Sequence, residues 1–278
     1  VANAFKGTVA VIQFPGVNCE YETAAAARTV GLGAAIFRWN EDPALLDESL
    51  GVVLPGGFAY QDRIRAGVVA AKDRIMDKVT ELARSGRPVL GICNGAQVLV
   101  EAGLIPGIHW EKVDLALAPN VMADREGYYC TWVYLRAEPG RCLWTKRIGE
   151  GAIIPIPIAH GEGRFVTEDA SVLAAMKKNR QIALRYCDAA GETVESFPVN
   201  PNGSVDNIAG VSNKEGNVLA MMPHPERATW LRQVPEDIAG PWGDKRAAAA
   251  GHAELMEQEG PGRNFFAALL AGRKGGAR

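Results

Sequence analysis

An α/β fold, with a mostly parallel sheet flanked by helices and a small antiparallel extension, follows from three features of the sequence. Short apolar runs alternate with helical patterns through the first hundred residues. The runs stop at loops rich in glycine and proline, as buried parallel strands do. Between residues 114 and 136 the pattern changes to alternating and aromatic residues, which marks antiparallel strands.

The elements follow in order. Residues 8–14 form a buried first strand, ended by Pro15-Gly16, and the alanine-rich stretch 20–30, closed by Gly31-Leu32-Gly33, predicts a helix. Residues 34–39 are a second strand and 50–54 a third, which stops at Pro55-Gly56-Gly57-Phe58. The two glycines there either let the backbone approach a ligand or simply permit a turn. A helix over 68–85 leads through Gly86-Arg87-Pro88 into a fourth strand that ends at Cys93. Sheets of this kind place ligands at the carboxyl ends of their strands, so the loops at 14–20, 55–60 and 93–95 are the candidate site.

Downstream, Tyr128-Tyr129-Cys130-Thr131-Trp132-Val133-Tyr134-Leu135 reads as a strand, and the proline-limited stretch 153–163 as an extended segment carrying His160 and Glu162. Those two are either catalytic or part of a structural lip around substrate. A further strand spans 182–186, and a hairpin joins 207–211 to 217–222 through a turn at Glu215-Gly216. It ends at Pro223-His224-Pro225-Glu226-Arg227. Beyond lie an irregular stretch to about 243, an exposed helix at 244–259, a closing helical turn at 264–270 and a basic end at 272–278.

Composition narrows the function. A chain of 278 residues can bury a substantial core, and the sequence reads as a single domain over 1–278. A net charge of -2 without a basic stripe points to no nucleic acid and no membrane partner. The opening residues lack a basic start and a long apolar run, which predicts a soluble, cytoplasmic protein. Five cysteines, Cys19, Cys93, Cys130, Cys142 and Cys187, show no Cys-x-x-Cys spacing, which argues against a disulfide framework and against a metal site.

The chemistry centres on Gly91-Ile92-Cys93-Asn94-Gly95, a strand, a tight turn and a helix start in five residues. It repeats the Gly-x-Ser-x-Gly nucleophile elbow with sulfur as the nucleophile. Free N–H groups at the helix start favour a thiolate, and the Asn94 N–H is placed to receive an oxyanion, joined by the Gly57 N–H if the loops at 55–60 and 93–95 lie together. A nucleophilic cysteine needs a base and the base an orienting partner. His224 and Glu226, two apart in an extended segment, turn to one side and supply both. The order Cys, His, Glu differs from that of α/β-hydrolases.

These residues resemble class I (triad-type) glutamine amidotransferases through Pro55-Gly56-Gly57, Gly91 to Gly95 with Gln97, and His224-Pro225-Glu226. Within that class, Phe14-Pro15-Gly16-Val17-Asn18-Cys19-Glu20, Ala59-Tyr60-Gln61-Asp62, Ala159-His160-Gly161-Glu162-Gly163 and Asn200-Pro201-Asn202-Gly203-Ser204 resemble the glutaminase-subunit family of phosphoribosylformylglycinamidine synthases in purine biosynthesis. The resemblance implies a class I glutamine amidotransferase-like, flavodoxin-like sheet. It implies that Cys93 attacks the glutamine amide, His224 carries the proton, Glu226 orients His224, and Gly57 with Asn94 binds the oxyanion, while Gln97, Gly56 and Phe58 hold substrate. It also implies a thioester intermediate and no cofactor in this subunit. Ammonia would pass to a large synthetase subunit using ATP and Mg, with or without a small accessory subunit. That partner converts formylglycinamide ribonucleotide to formylglycinamidine ribonucleotide. The stretch 120–131 departs from the family pattern, and about 228–262 reads as a surface insertion.

Overall fold

A computed structural model describes residues 4–109 and 112–270; the opening residues 1–3 and the basic end at 272–278 lie outside the described residues. The first apolar run is β1 (Thr8–Gln13), followed by α1 (Glu20–Thr29), β2 (Gly33–Arg38) and β3 (Gly51–Leu54). Helix α2 (Ile75–Arg84) leads to β4 (Val89–Ile92), and α3 (Asn94–Glu101) starts directly after Cys93. Strands β5 (Ala116–Ala118) and β6 (Tyr129–Ala137) precede α4 (Leu143–Ile148), β7 (Ile153–His160) and β8 (Arg164–Val166). Then come α5 (Ala170–Lys178), β9 (Ile182–Cys187) and the hairpin β10 (Ile208–Ser212) and β11 (Val218–Met221). The chain closes with α6 (Pro241–Ala248), α7 (Ala253–Met256) and α8 (Arg263–Ala267).

One nine-stranded sheet runs in the order β2-β1-β3-β4-β11-β10-β9-β6-β7. The pairings from β2 to β11 are parallel and those from β11 to β7 antiparallel. A separate two-stranded antiparallel sheet pairs β5 with β8. Strands β3 and β4 are buried throughout, as expected when helices cover both faces. Strand β7 is an edge, which explains how it carries Pro155 and Pro157: an edge strand has a free side that needs no ladder N–H.

Two expected helices are broken. The stretch 68–85 divides into a 3₁₀ turn, Ala70–Lys72, and α2. The Asp73 carboxylate between them accepts from the Ile75 N–H at 3.1 Å and from the Tyr60 hydroxyl at 2.8 Å, so a local side-chain bond replaces the helical ladder there. The helix expected at 244–259 is instead α6 and α7, separated by Gly251 at φ +81°, a left-handed position that ends a helix.

The ends of the segment at 228–262 are stapled together. Gly262 N–H donates to the Ala228 carbonyl at 2.7 Å and Gly260 N–H to that of Thr229 at 2.8 Å, while Trp230 and Glu259 form an antiparallel bridge. Leu231, Val234 and Ala249 make a small apolar cluster of their own beside the main core. Phe265 and Phe266 of α8 return to that core and are fully buried.

Candidate active site

Cys93 stands between β4 and α3 at φ 51°, ψ -108°, a conformation that costs a non-glycine residue roughly 1–3 kcal/mol. The flanking glycines make the turn possible. A Cβ on Gly91 would come within 2.6 Å of the Gly95 carbonyl oxygen, and one on Gly95 would overlap the Leu54 carbonyl of β3. Packing of strand against helix therefore holds the sulfur at the floor of a pocket of about 180 Å³, where it lies 3.6 Å from the Ala159 carbonyl of β7. The elbow read from the sequence is present in full.

His224 and Glu226 meet, through a different local geometry from the one expected. The segment is not extended: Pro225–Ala228 forms a 3₁₀ turn with His224 at its start, and the turn brings Glu226 Oε1 to 2.5 Å from His224 Nδ1. The His224 N–H donates to the Pro157 carbonyl at 2.8 Å, so the free side of β7 fixes the backbone of the base. Both side chains are buried, and neither His224 Nε2 nor Glu226 Oε2 has a hydrogen-bond partner among the described residues. Burial opposes charge on the imidazole, yet the Glu226 carboxylate, helped by the sulfurs of Cys93 and Cys19, carries its proton affinity well above the ordinary histidine value. An imidazole held this way is chemically able to take a proton from a neighbouring thiol and keep it until a leaving group collects it.

Cys93, His224, Gly57, Phe58 and Gln97 all line the pocket. Gly57, at φ +147°, meets a demand that neither reading of 55–58 named: a Cβ there would meet the backbone of Val17 and Asn18 at 2.7 Å, so glycine answers a close approach of two loops. Among the described residues no carbonyl accepts from the N–H of Gly57 or of Asn94. Gly56 is not among the residues that line this pocket, and a Cβ there would press on His224 Cε1 at 2.7 Å, so its bareness makes room for the imidazole.

Asn94 and Gln97 form a network. Asn94 Oδ1 accepts from the Ala59 N–H at 2.9 Å, its Nδ2 donates to Asp62 Oδ1 at 3.0 Å and to Gln97 Oε1 at 2.9 Å, and Gln97 Nε2 donates to the Glu162 carbonyl at 2.7 Å. Thus the Gln97 amide braces the pocket wall from both ends. Asp62 is pushed up to about 6 by burial and by the Glu162 carboxylate, against the Asn94 hydrogen bond.

His160 and Glu162 also line the pocket. His160 Nδ1 lies 3.0 Å from Asn120 Oδ1, and the Asn120 amide nitrogen donates to the His160 and Gly127 carbonyls, which fixes the ring as an Nδ1–H tautomer. Burial, with His224 nearby, pushes its pKa down to about 3, so it is neutral in the working range. The position fits the lip reading. Its departure from the family pattern notwithstanding, 120–131 places Asn120 and Tyr128 beside the site.

Sequence reasoning missed Cys19, Asn18, Asp62, Tyr128 and Arg227 as neighbours of the nucleophile and base. The loop at 14–20 was marked as a ligand loop, but nothing in the spacing ties residue 19 to residue 224. Cys19 is buried, with Arg227 Nη2 donating to its sulfur at 3.1 Å. Burial raises its pKa, so it is held as a thiol.

A cysteine on a strained strand-to-helix elbow, with a buried His–Glu pair over a parallel sheet, defines a triad-type amidotransferase site. The chain belongs to the CobB/CobQ-like glutamine amidotransferase domain family, which it matches over residues 6–254. Within that class it is similar to phosphoribosylformylglycinamidine synthase subunit PurQ. The protein of that name from Methanothrix thermoacetophila is 52% identical over 82% of this chain and 88% of its own length, and that from Pyrococcus furiosus 46% over 79% and 88%. A chain in the solved structure of PurLQS from Thermotoga maritima superposes with a TM-score of 0.69 at 30% identity, covering 96% of this chain and 98% of that one.

Proposed function

We propose that this chain is the glutaminase subunit of a phosphoribosylformylglycinamidine synthase. The observation that carries the reading is the buried His224–Glu226 pair at 2.5 Å, whose imidazole shares one pocket with Cys93 on its elbow. Glutamine enters with its amide carbon at Cys93. The thiol proton passes to His224 Nε2 as sulfur attacks, and the oxyanion takes the free N–H groups of Gly57 and Asn94. His224 then protonates the amide nitrogen, the C–N bond breaks, and ammonia leaves a γ-glutamyl thioester on Cys93. Water, deprotonated by His224, releases glutamate. Glu226 holds the imidazole and offsets its positive charge throughout. Phe58 and the braced Gln97 shape the wall against which glutamine lies.

The ammonia goes to a large synthetase chain, with or without a small accessory subunit, that binds ATP and Mg and converts formylglycinamide ribonucleotide to the amidine. The present chain needs no cofactor for its half of the reaction, and the pathway places it in the cytoplasm. Cys93→Ala tests the reading in the assembled complex. Glutamine-dependent synthesis is expected to fall roughly a thousandfold or more while ammonia-dependent synthesis persists. Equal loss with both nitrogen sources would refute it.

A further inference from the structure

Cys19 has no part in that chemistry, yet it is placed against the base with care. Its own N–H donates to the Gly56 carbonyl at 3.2 Å, its thiol reaches Asn18 Oδ1 at 3.3 Å, and Gly56 is bare where a Cβ would strike both its sulfur and the His224 ring. One donor atom from each of Cys19, His224 and Glu226 lies within 4.8 Å of the others, and all three residues are buried. His224 Nε2 and Glu226 Oε2 are unpartnered buried atoms.

We propose that Cys19, His224 and Glu226 form an inhibitory site for a thiophilic divalent cation of the Zn²⁺ type. Sulfur, imidazole and carboxylate donors around Zn²⁺ stand on the order of 3.5 Å apart, so closing the cluster takes shifts of about 1 Å. Binding releases the thiol proton of Cys19 and one of the two ring protons of the His224 imidazolium, and involves no redox change. It takes Nδ1, the ring nitrogen that faces Glu226, and so leaves the ring proton on Nε2, where the Cys93 proton would have gone, and glutamine hydrolysis stops. Sulfur and imidazole donors favour Zn²⁺ over Mg²⁺, so the Mg²⁺ required by an ATP-dependent partner leaves the site free. Arg227 is the built-in competitor: its guanidinium holds the Cys19 sulfur and lies 3.9 Å from Glu226 Oε1, and it must swing aside for a cation to enter.

The inhibition arm of the test rests on the proposed glutaminase reaction; the binding arm does not. In the complex, buffered Zn²⁺ is expected to abolish glutamine-dependent synthesis, spare ammonia-dependent synthesis and be reversed by a chelator. With each protein normalised to its own zinc-free rate, Cys19→Ser should raise the inhibition constant about tenfold or more, and Arg227→Gln should lower it. In the binding arm, Cys93→Ser protein titrated with Co²⁺ should show a sulfur-to-cobalt charge-transfer band contributed by Cys19, and Cys19→Ser/Cys93→Ser protein none. Equal Zn²⁺ sensitivity of the wild type and Cys19→Ser, or no such band in Cys93→Ser, would overturn the proposal.

Discussion

Replacing Glu226 with glutamine keeps the size of the side chain and removes its charge. The carboxylate is fully buried and bonded to His224 Nδ1 at 2.5 Å, so nothing else in the described structure replaces it as the counter-charge of a protonated imidazole. Arg227, 3.9 Å from Glu226 Oε1, has the wrong sign. Removing the corresponding charge from a nucleophile–base–acid triad costs about a hundred- to ten-thousandfold in kcat, and that range is expected here for glutamine-dependent synthesis in the complex. Ammonia-dependent synthesis serves as the control for assembly.

A stability signature accompanies the loss. The folded protein holds the His224 proton more tightly than an ordinary histidine does, so the pair contributes stability that is fully present below the ordinary histidine value and is lost as pH rises through the folded value. Glu226→Gln should therefore cost about 2 kcal/mol in urea unfolding at pH 6, the worth of a charged buried hydrogen bond, and less at alkaline pH. A variant within tenfold of the wild-type glutamine rate, with an unchanged gap in stability across pH, would refute the idea that this carboxylate charges and orients the base.

Other perturbations give independent checks. Asp62 holds its proton up to about pH 6 in the fold against 3.8 ordinarily, so the wild type loses stability as pH rises through that window. Asp62→Asn should melt higher than the wild type at pH 7–8 and converge with it below about pH 4, a convergence that differential scanning calorimetry at several pH values would reveal. Gly95→Ala drives a methyl into the Leu54 carbonyl and should destabilise the fold by about 3 kcal/mol, seen as a lower urea midpoint at unchanged slope. Replacing residues 231–258 with a short flexible loop joins ends already bridged by Trp230 and Glu259, and should move the main melting transition by no more than about 4 °C, roughly 1 kcal/mol in a chain of this size.

The parallel half of the fold was legible because its inner strands are buried on both faces and therefore appear as unbroken apolar runs, Val52-Val53-Leu54 being the plainest, while the edge strand β2 is only partly buried. The elbow was legible because its glycines are forced by local packing. The 3₁₀ turn at Pro225 was not, since spacing alone does not distinguish an extended pair from one turned over a proline. The breaks at Asp73 and Gly251 depend on one side-chain bond and one left-handed residue, which a hydrophobic pattern does not register. Cys19 and Arg227 escaped notice for another reason: 208 positions separate them, and only the finished sheet brings them together.

Four strands lie between β4, which ends at the nucleophile, and β7, whose Pro157 and Ala159 carbonyls hold the base and touch the sulfur. The sheet must curl its far edge back over its middle before those contacts exist. Reactivity is thereby a test of completeness: a nascent or half-melted chain owns its cysteine but has no fastened base, and releases no free ammonia into the cell.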